Sequence, residues 1–232
     1  MRPTNDEPKS DLATWRPRLA AMAAGASGGD GVHDSGGDGA HDSAHLERVW
    51  RNAQALLAGH PQADALVVMA ACYLHDLVNL PKNVPDRAQA STRSAQLARH
   101  QLAWMNFPPE RLDAVAHAIA AHSFSANIPA ESLEAKIVQD ADRLDGLGAV
   151  GLARMFYIAG RMGTALAHPS DPLGSAREFD DRNYALDHIM VKLAKLPGMM
   201  QTEAGRALAE ERLARLMAFR EEFALESGMP PG

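Results

Sequence analysis

Three places in the sequence cluster imidazole or carboxylate groups. His41 and His45 are four residues apart, a spacing that lets one helix face present both. His75 and Asp76 are adjacent, at the end of the apolar run ALVVMAACYLHD. Asp140, Asp142 and Asp145 lie in VQDADRLDGLG, inside a segment otherwise fit for burial. A charged carboxylate on a buried helix is costly unless something compensates it, and a cation does so. Two imidazoles and two carboxylates from three separate helices form a hard-to-borderline donor set. Such a set suits Mn, Fe or Mg, less often Zn, and leaves positions open for water and substrate. Single His-Asp dipeptides are commonly caps or solvated pairs, and this chain has four, at 33–34, 41–42, 75–76 and, reversed, 187–188. The distinguishing feature is their order: His45, then His75-Asp76 behind an apolar helix, then Asp142 about 65 residues on.

The elements that must position these groups read as helices throughout, with no convincing strand alternation. Helices are expected near 10–23, capped by Ser10 or Asp11, near 43–59, and after Pro61 through ALVVMAACYLHDLV. Others are expected near 86–105, from Pro108-Pro109 onward, as one long helix from 131 to 161, and near 183–196 and 202–226. NLPKNVPD and residues 163–182 read as loops. The fold class is therefore all-α, a single helical bundle of about nine helices. Its expected organisation is an N-terminal segment with a short helix (1–24), a Gly-rich loop (25–43) and a core (44–228) on which that helix packs. The loop holds an eight-residue unit, GGDGVHDS, followed at once by GGDGAHDS. The unit is too short for a solenoid repeat, and lengthening a surface loop costs little entropy.

With 232 residues the chain can bury a sizeable core. Its net charge of −6 gives neither a nucleic-acid footprint nor a polybasic membrane patch, so neither polymer nor membrane is an expected partner. The single cysteine, Cys72, excludes an internal disulfide and reads as a small buried hydrophobe. Residues 16–24, RPRLAAMAA, faintly resemble a signal peptide, but the upstream acidic residues and the short apolar run argue against one, so a cytoplasmic location is expected.

The series His45, His75-Asp76, Asp142 resembles the H…HD…D signature of the HD-domain superfamily of metal-dependent phosphohydrolases. HDSAHLERVWRNA, YLHDLVNLPKNVPDRAQAS, AIAAHSFSANIPAESLEAKIVQDADRLDGLGAVGLARMF and KLPGMMQTEAGRALAEERL are similar to the YedJ/YpgQ-type branch, from about Trp15 to Glu226. The resemblance implies an all-α fold and one divalent metal held by His45, His75, Asp76 and Asp142. Manganese is the first expectation, with Mg, Fe, Ni or Co as alternatives. It also implies hydrolysis of a phosphoester or phosphoanhydride by metal-activated water, with a small phosphorylated substrate, a nucleotide foremost. Asp142 is preferred over its neighbours because A-D-R-L matches the last ligand motif. Asp145 then stands behind it, and Asp140 is solvent-facing or a hydrogen-bond partner.

Catalytic roles fall on His75, Asp76 and His122. Substrate contacts fall on Lys82, Arg87, His122, His41, Asp42 and Lys192, Arg being suited to bidentate phosphate contact and Lys to a point charge. Lys195 reads as a surface cation. His117 and His122 lack the adjacent-pair arrangement that a second metal commonly uses, so one metal is expected. Asn79 stands where several relatives carry an acid or His, which leaves the general base among metal-bound hydroxide, Asp42 and His122. His33-Asp34, in the extra repeat unit, departs from the branch and reads as a slipped copy. Two other readings remain: a non-catalytic nucleotide sensor, and an iron oxygenase on the same scaffold.

Overall fold

The computed structural model describes residues 7–27, 43–78, 88–123 and 126–228. They divide into two compact units, up to Asp142 and from Arg143 onward. The first contains α1 (Glu7–Ser27), α2 (Ser43–Leu57), α3 (Ala65–Leu74), α4 (Ala90–Trp104), α5 (Leu112–His122) and most of α6 (Leu133–Asp145). The second contains α7 (Gly148–Met162), the four-residue α8 (His188–Val191) and α9 (Glu203–Glu226). The all-α expectation holds. Among the described residues no strand forms, only an isolated bridge between Ala165 and Tyr184. Among the described residues no helix is long and apolar enough to cross a membrane.

In the first unit, α3 is the pillar. The Asp64 carboxylate caps it, accepting from the Leu66 and Val67 amides at 3.0 and 3.3 Å. Every side chain from Leu66 to Leu74 is at most 3% exposed. Burial of each large apolar side chain of this kind contributes about 1.5–3 kcal/mol. The helices α1, α2 and α5 pack on α3. Helix α1 begins earlier than the expected Ser10 or Asp11 cap and continues past residue 24, through Pro17. Trp15, Leu19 and Ala23 bury one side of it, which offsets the hydrogen bond lost at the proline. Arg16 and Glu47 meet at 2.7 Å, and Glu47 accepts from the Tyr73 hydroxyl at 2.6 Å, so α1, α2 and α3 share one polar knot. Burial, followed by the Glu47 contact, pushes the Tyr73 phenol up to about 12.

The single helix expected from 131 to 161 is two. The Gly146 and Leu147 amides turn back to the Arg143 and Leu144 carbonyls in a tight final turn. Gly148 then takes φ +69, the left-handed region that glycine enters without a side-chain clash. Gly151 sits against this turn: a Cβ there would lie 2.1 Å from the Gly146 carbonyl oxygen. Gly151→Ala is therefore expected to cost about 1–3 kcal/mol through overpacking against backbone that cannot give way. A urea titration followed by circular dichroism checks this; an unshifted midpoint would show that the turn relaxes freely.

The helix expected over 183–196 is also broken. It consists of a 3-10 turn at Ala185–Asp187, α8, and further 3-10 turns at Leu193–Lys195 and Pro197–Met199. Lys192, at φ −127 and ψ −56, ends α8. The stretch 163–182 is irregular, as expected, but tightly tied. Asp187, 1% exposed, receives Arg177 Nη1 at 2.5 Å, Arg177 Nη2 at 2.8 Å and the Asp180 amide at 2.7 Å. Thr202 caps α9 by accepting from the Gly205 amide. Phe156 of α7 packs on Phe219 and Phe223 of α9.

Candidate metal centre

Helix α2 buries one face, with His45, Val49, Asn52, Ala53 and Leu56 inward at helical spacing. That face places His45 in the first turn, 1% exposed. His75 is the C-cap of α3, also 1% exposed, and Asp76 follows it as the chain leaves the core. His122 is the last residue of α5 and 8% exposed. Asp142 lies on α6 with its side chain 30% exposed. All five residues belong to the first unit.

Their donor atoms converge. His45 Nε2 lies 3.3 Å from His75 Nε2 and 3.5 Å from Asp142 Oδ1. His75 Nε2 lies 3.8 Å from Asp142 Oδ1 and 3.5 Å from Asp76 Oδ2. His122 Nε2 lies 3.7 Å from Asp76 Oδ1. Two sets of potential metal donors result, His45-His75-Asp142 and His75-Asp76-His122, each with its atoms within 4.8 Å of one another. They share His75, whose ring is edge-on to both other imidazoles. Asp76 thus meets the first trio through His75 and carries His122 on its other oxygen.

Hydrogen bonding fixes which ring nitrogens are bare. The Cys72 carbonyl can only accept, so His75 Nδ1, 2.9 Å away, carries the proton and Nε2 presents a lone pair to the cluster. The same logic applies to His122, whose Nδ1 donates to the Ile119 carbonyl at 2.6 Å. Burial and the neighbouring His75 hold the His122 imidazole below its usual pKa, against the opposing pull of Asp76 and Asp142. His122 is therefore neutral near pH 7, with its basic nitrogen toward Asp76.

These residues fit a divalent ion. Lone pairs of imidazole and carboxylate face one another, an arrangement that a cation stabilises. Bonds of about 2.1 Å put adjacent donors about 3.0 Å apart around an octahedral ion and about 3.4 Å around a tetrahedral one. The spacings of the first trio, 3.3 to 3.8 Å, need only slight closure. One Nε2 on His75 serves one ion, and the N/O donor set suits first-row divalent metals.

The remaining sequence expectations fall in several places. Asp140 is fully buried, so it does not face solvent; α6 turns it into the core. Asp145 is buried and ion-paired with Arg154. His117 accepts from the Glu131 amide, outside the cluster. Lys192 and Lys195 belong to the second unit and are exposed. His41, Asp42, Lys82 and Arg87 lie outside the described residues, as do Asn79 and His33-Asp34. Two buried amides went unnoticed in the sequence. Asn52 Nδ2 donates to the Ala141 carbonyl at 3.0 Å, and Gln139 Nε2 donates to the Ala121 carbonyl at 2.8 Å. A polar residue on the buried face of α2 was the available signal for Asn52.

Comparison with known proteins places this geometry in context. Residues 43–147 match the HD domain family. The uncharacterized protein YpgQ of Bacillus subtilis (strain 168) is 35% identical over 191 residues, which span 80% of this chain and 83% of that protein. The crystal structure of Bacillus subtilis YpgQ in complex with ADP is similar at a TM-score of 0.66 and 29% identity, covering 94% of this chain and 96% of the other. An HD-superfamily hydrolase from Bacillus thuringiensis is similar at a TM-score of 0.70 and 27% identity, covering 94% and 99%. The fold is thus like that of an HD-superfamily hydrolase.

Proposed function

Because the chain belongs to the HD domain family, we propose that it is a divalent-metal-dependent phosphohydrolase acting on a small phosphorylated molecule, a nucleotide foremost. The observation that carries this reading is the convergence of bare donors at the end of α3, with His75 Nε2 held toward His45 and Asp142 by the Cys72 carbonyl. His45, His75 and Asp142 hold the ion, and Asp76 completes the set. Manganese fits the mixed imidazole and carboxylate donors, as do iron, cobalt, nickel and magnesium. When bound, such an ion supplies Lewis acidity, lowering the pKa of a water molecule and drawing charge from a phosphoryl oxygen.

The chain's own residues do the rest. His122 is a neutral base: its Nδ1 proton is committed to Ile119, so it takes a proton at Nε2. Asp76 uses its two oxygens on two different rings, which orients His122 relative to His75. Lys82 and Arg87, which follow the HD pair in the sequence, supply positive charge for the phosphate, with His41 and Asp42 as further contacts. The nucleotide preference draws support from the ADP complex of YpgQ.

The test is product release from a panel of nucleotides by metal-stripped protein, with Mn, Mg, Fe, Co and Ni added back singly. Free phosphate and pyrophosphate are read separately, which identifies the bond cut. Turnover is expected only with metal. Nucleotides returned intact with every metal would instead indicate a binding module.

A further inference from the structure

Behind the donor atoms, the helices that carry them are pinned by buried carboxamides. Asn52 follows His45 by seven residues on α2. At about 100° per residue, that spacing puts both on one face, two turns apart. Asn52 is 7% exposed, and its Nδ2 donates to the Ala141 carbonyl. That carbonyl belongs to the peptide group whose nitrogen is Asp142's own. One side chain on the His45 helix therefore grips the backbone that delivers the opposing carboxylate. His45 Nε2 and Asp142 Oδ1 stand 3.5 Å apart across this junction.

Gln139 provides a matched contrast. It is 5% exposed, sits three residues before Asp142 on α6, and donates to the Ala121 carbonyl. That bond steadies the peptide leading into His122, which is not among the four residues assigned to the ion. Its Oε1 has no hydrogen-bond partner among the described residues.

We infer that Asn52 is a positioning residue of the metal centre, setting the His45-to-Asp142 gap and through it the affinity for the ion. This rests on the metal-site reading above. A purely structural Asn52 would change stability and leave metal affinity alone. A positioning Asn52 changes affinity in a protein that remains folded.

The experiment is calorimetric titration of Mn(II) alone into metal-stripped full-length wild type, Asn52→Leu, Gln139→Leu and His75→Ala, each checked for helix content. Asn52→Leu is expected to weaken the Mn(II) Kd about tenfold, the low end for residues that support metal ligands. Gln139→Leu loses the same kind of buried amide bond, made between α6 and α5, and its Kd is expected to stay within about twofold of wild type, below that range. An unchanged Kd in Asn52→Leu overturns the inference. So does an equal loss in Gln139→Leu, which would mean general loosening of α6. Should Asn52→Leu not fold, Asn52→Ser is judged by the same criterion. If His75→Ala binds Mn(II) as tightly as wild type, the metal-site reading itself fails. If only His75→Ala loses affinity, the inference about Asn52 fails alone.

Discussion

Replacing His75 by alanine is expected to weaken Mn(II) binding by at least about a hundredfold, since even supporting residues around a metal cost about 10–100-fold. Turnover is expected to fall about a thousandfold, or about 4 kcal/mol of barrier. The size of the effect follows from the site's geometry. His75 is the member common to both donor trios, and its Nε2 lies within 3.8 Å of His45, Asp76 and Asp142 donor atoms. Its removal separates Asp76 and His122 from His45 and Asp142. The Cys72 carbonyl also loses a partner, which costs about 1–3 kcal/mol of stability. Calorimetry, product formation and circular dichroism on the same preparation separate the two effects. Retained metal binding together with retained turnover would remove His75 from the centre.

The second large effect lies in the other unit. Asp187→Ala is expected to cost about 3–5 kcal/mol, because breaking a buried ion pair strands the surviving charge. Arg177 would keep the Asp171 and Glu178 carbonyls, at 3.1 Å each, and its place over the Tyr184 ring, while the Asp180 amide would lose its acceptor. Asp187→Asn retains the shape without the charge and should fall between wild type and Ala. Urea unfolding followed at 222 nm, the usual helix band, reads the shift. A midpoint unchanged in both variants would mean that the 163–187 segment does not need this pair to fold.

The sequence was most legible where local rules act. His45 and His75 were named as ligands by the resemblance to the H…HD…D signature, while local rules marked only the helix that begins near His45 and the apolar run that ends at His75. The all-α class followed from helical periodicity. Asp142 and Asp145 were harder to separate. Three residues apart, they lie about 60° from one another around a helix, so spacing assigns both to one side. The A-D-R-L resemblance preferred Asp142, and the packing shows the physical difference: Asp142 meets two imidazoles, and Asp145 meets Arg154. The break at Gly146–Gly148 was masked because apolar periodicity runs through it. The turn is set by a left-handed glycine and by Gly151 lying against a carbonyl, both of which depend on the folded chain. Asn52 and Gln139 were illegible for a related reason. Their partners are backbone carbonyls 89 and 18 residues away, and a carbonyl has no side-chain letter to mark it.

The pillar helix α3 has no outward face, and this limits how a lineage can vary the protein. A substitution anywhere from Leu66 to Leu74 is felt first as altered packing, whatever it does at the end where His75 sits. Inheritable changes in substrate preference are therefore filtered out of this helix by their cost in folding. They can accumulate only in segments that touch the site without supporting the core. The helix is a fixed post from which the chemistry is hung, and diversification belongs to what surrounds it.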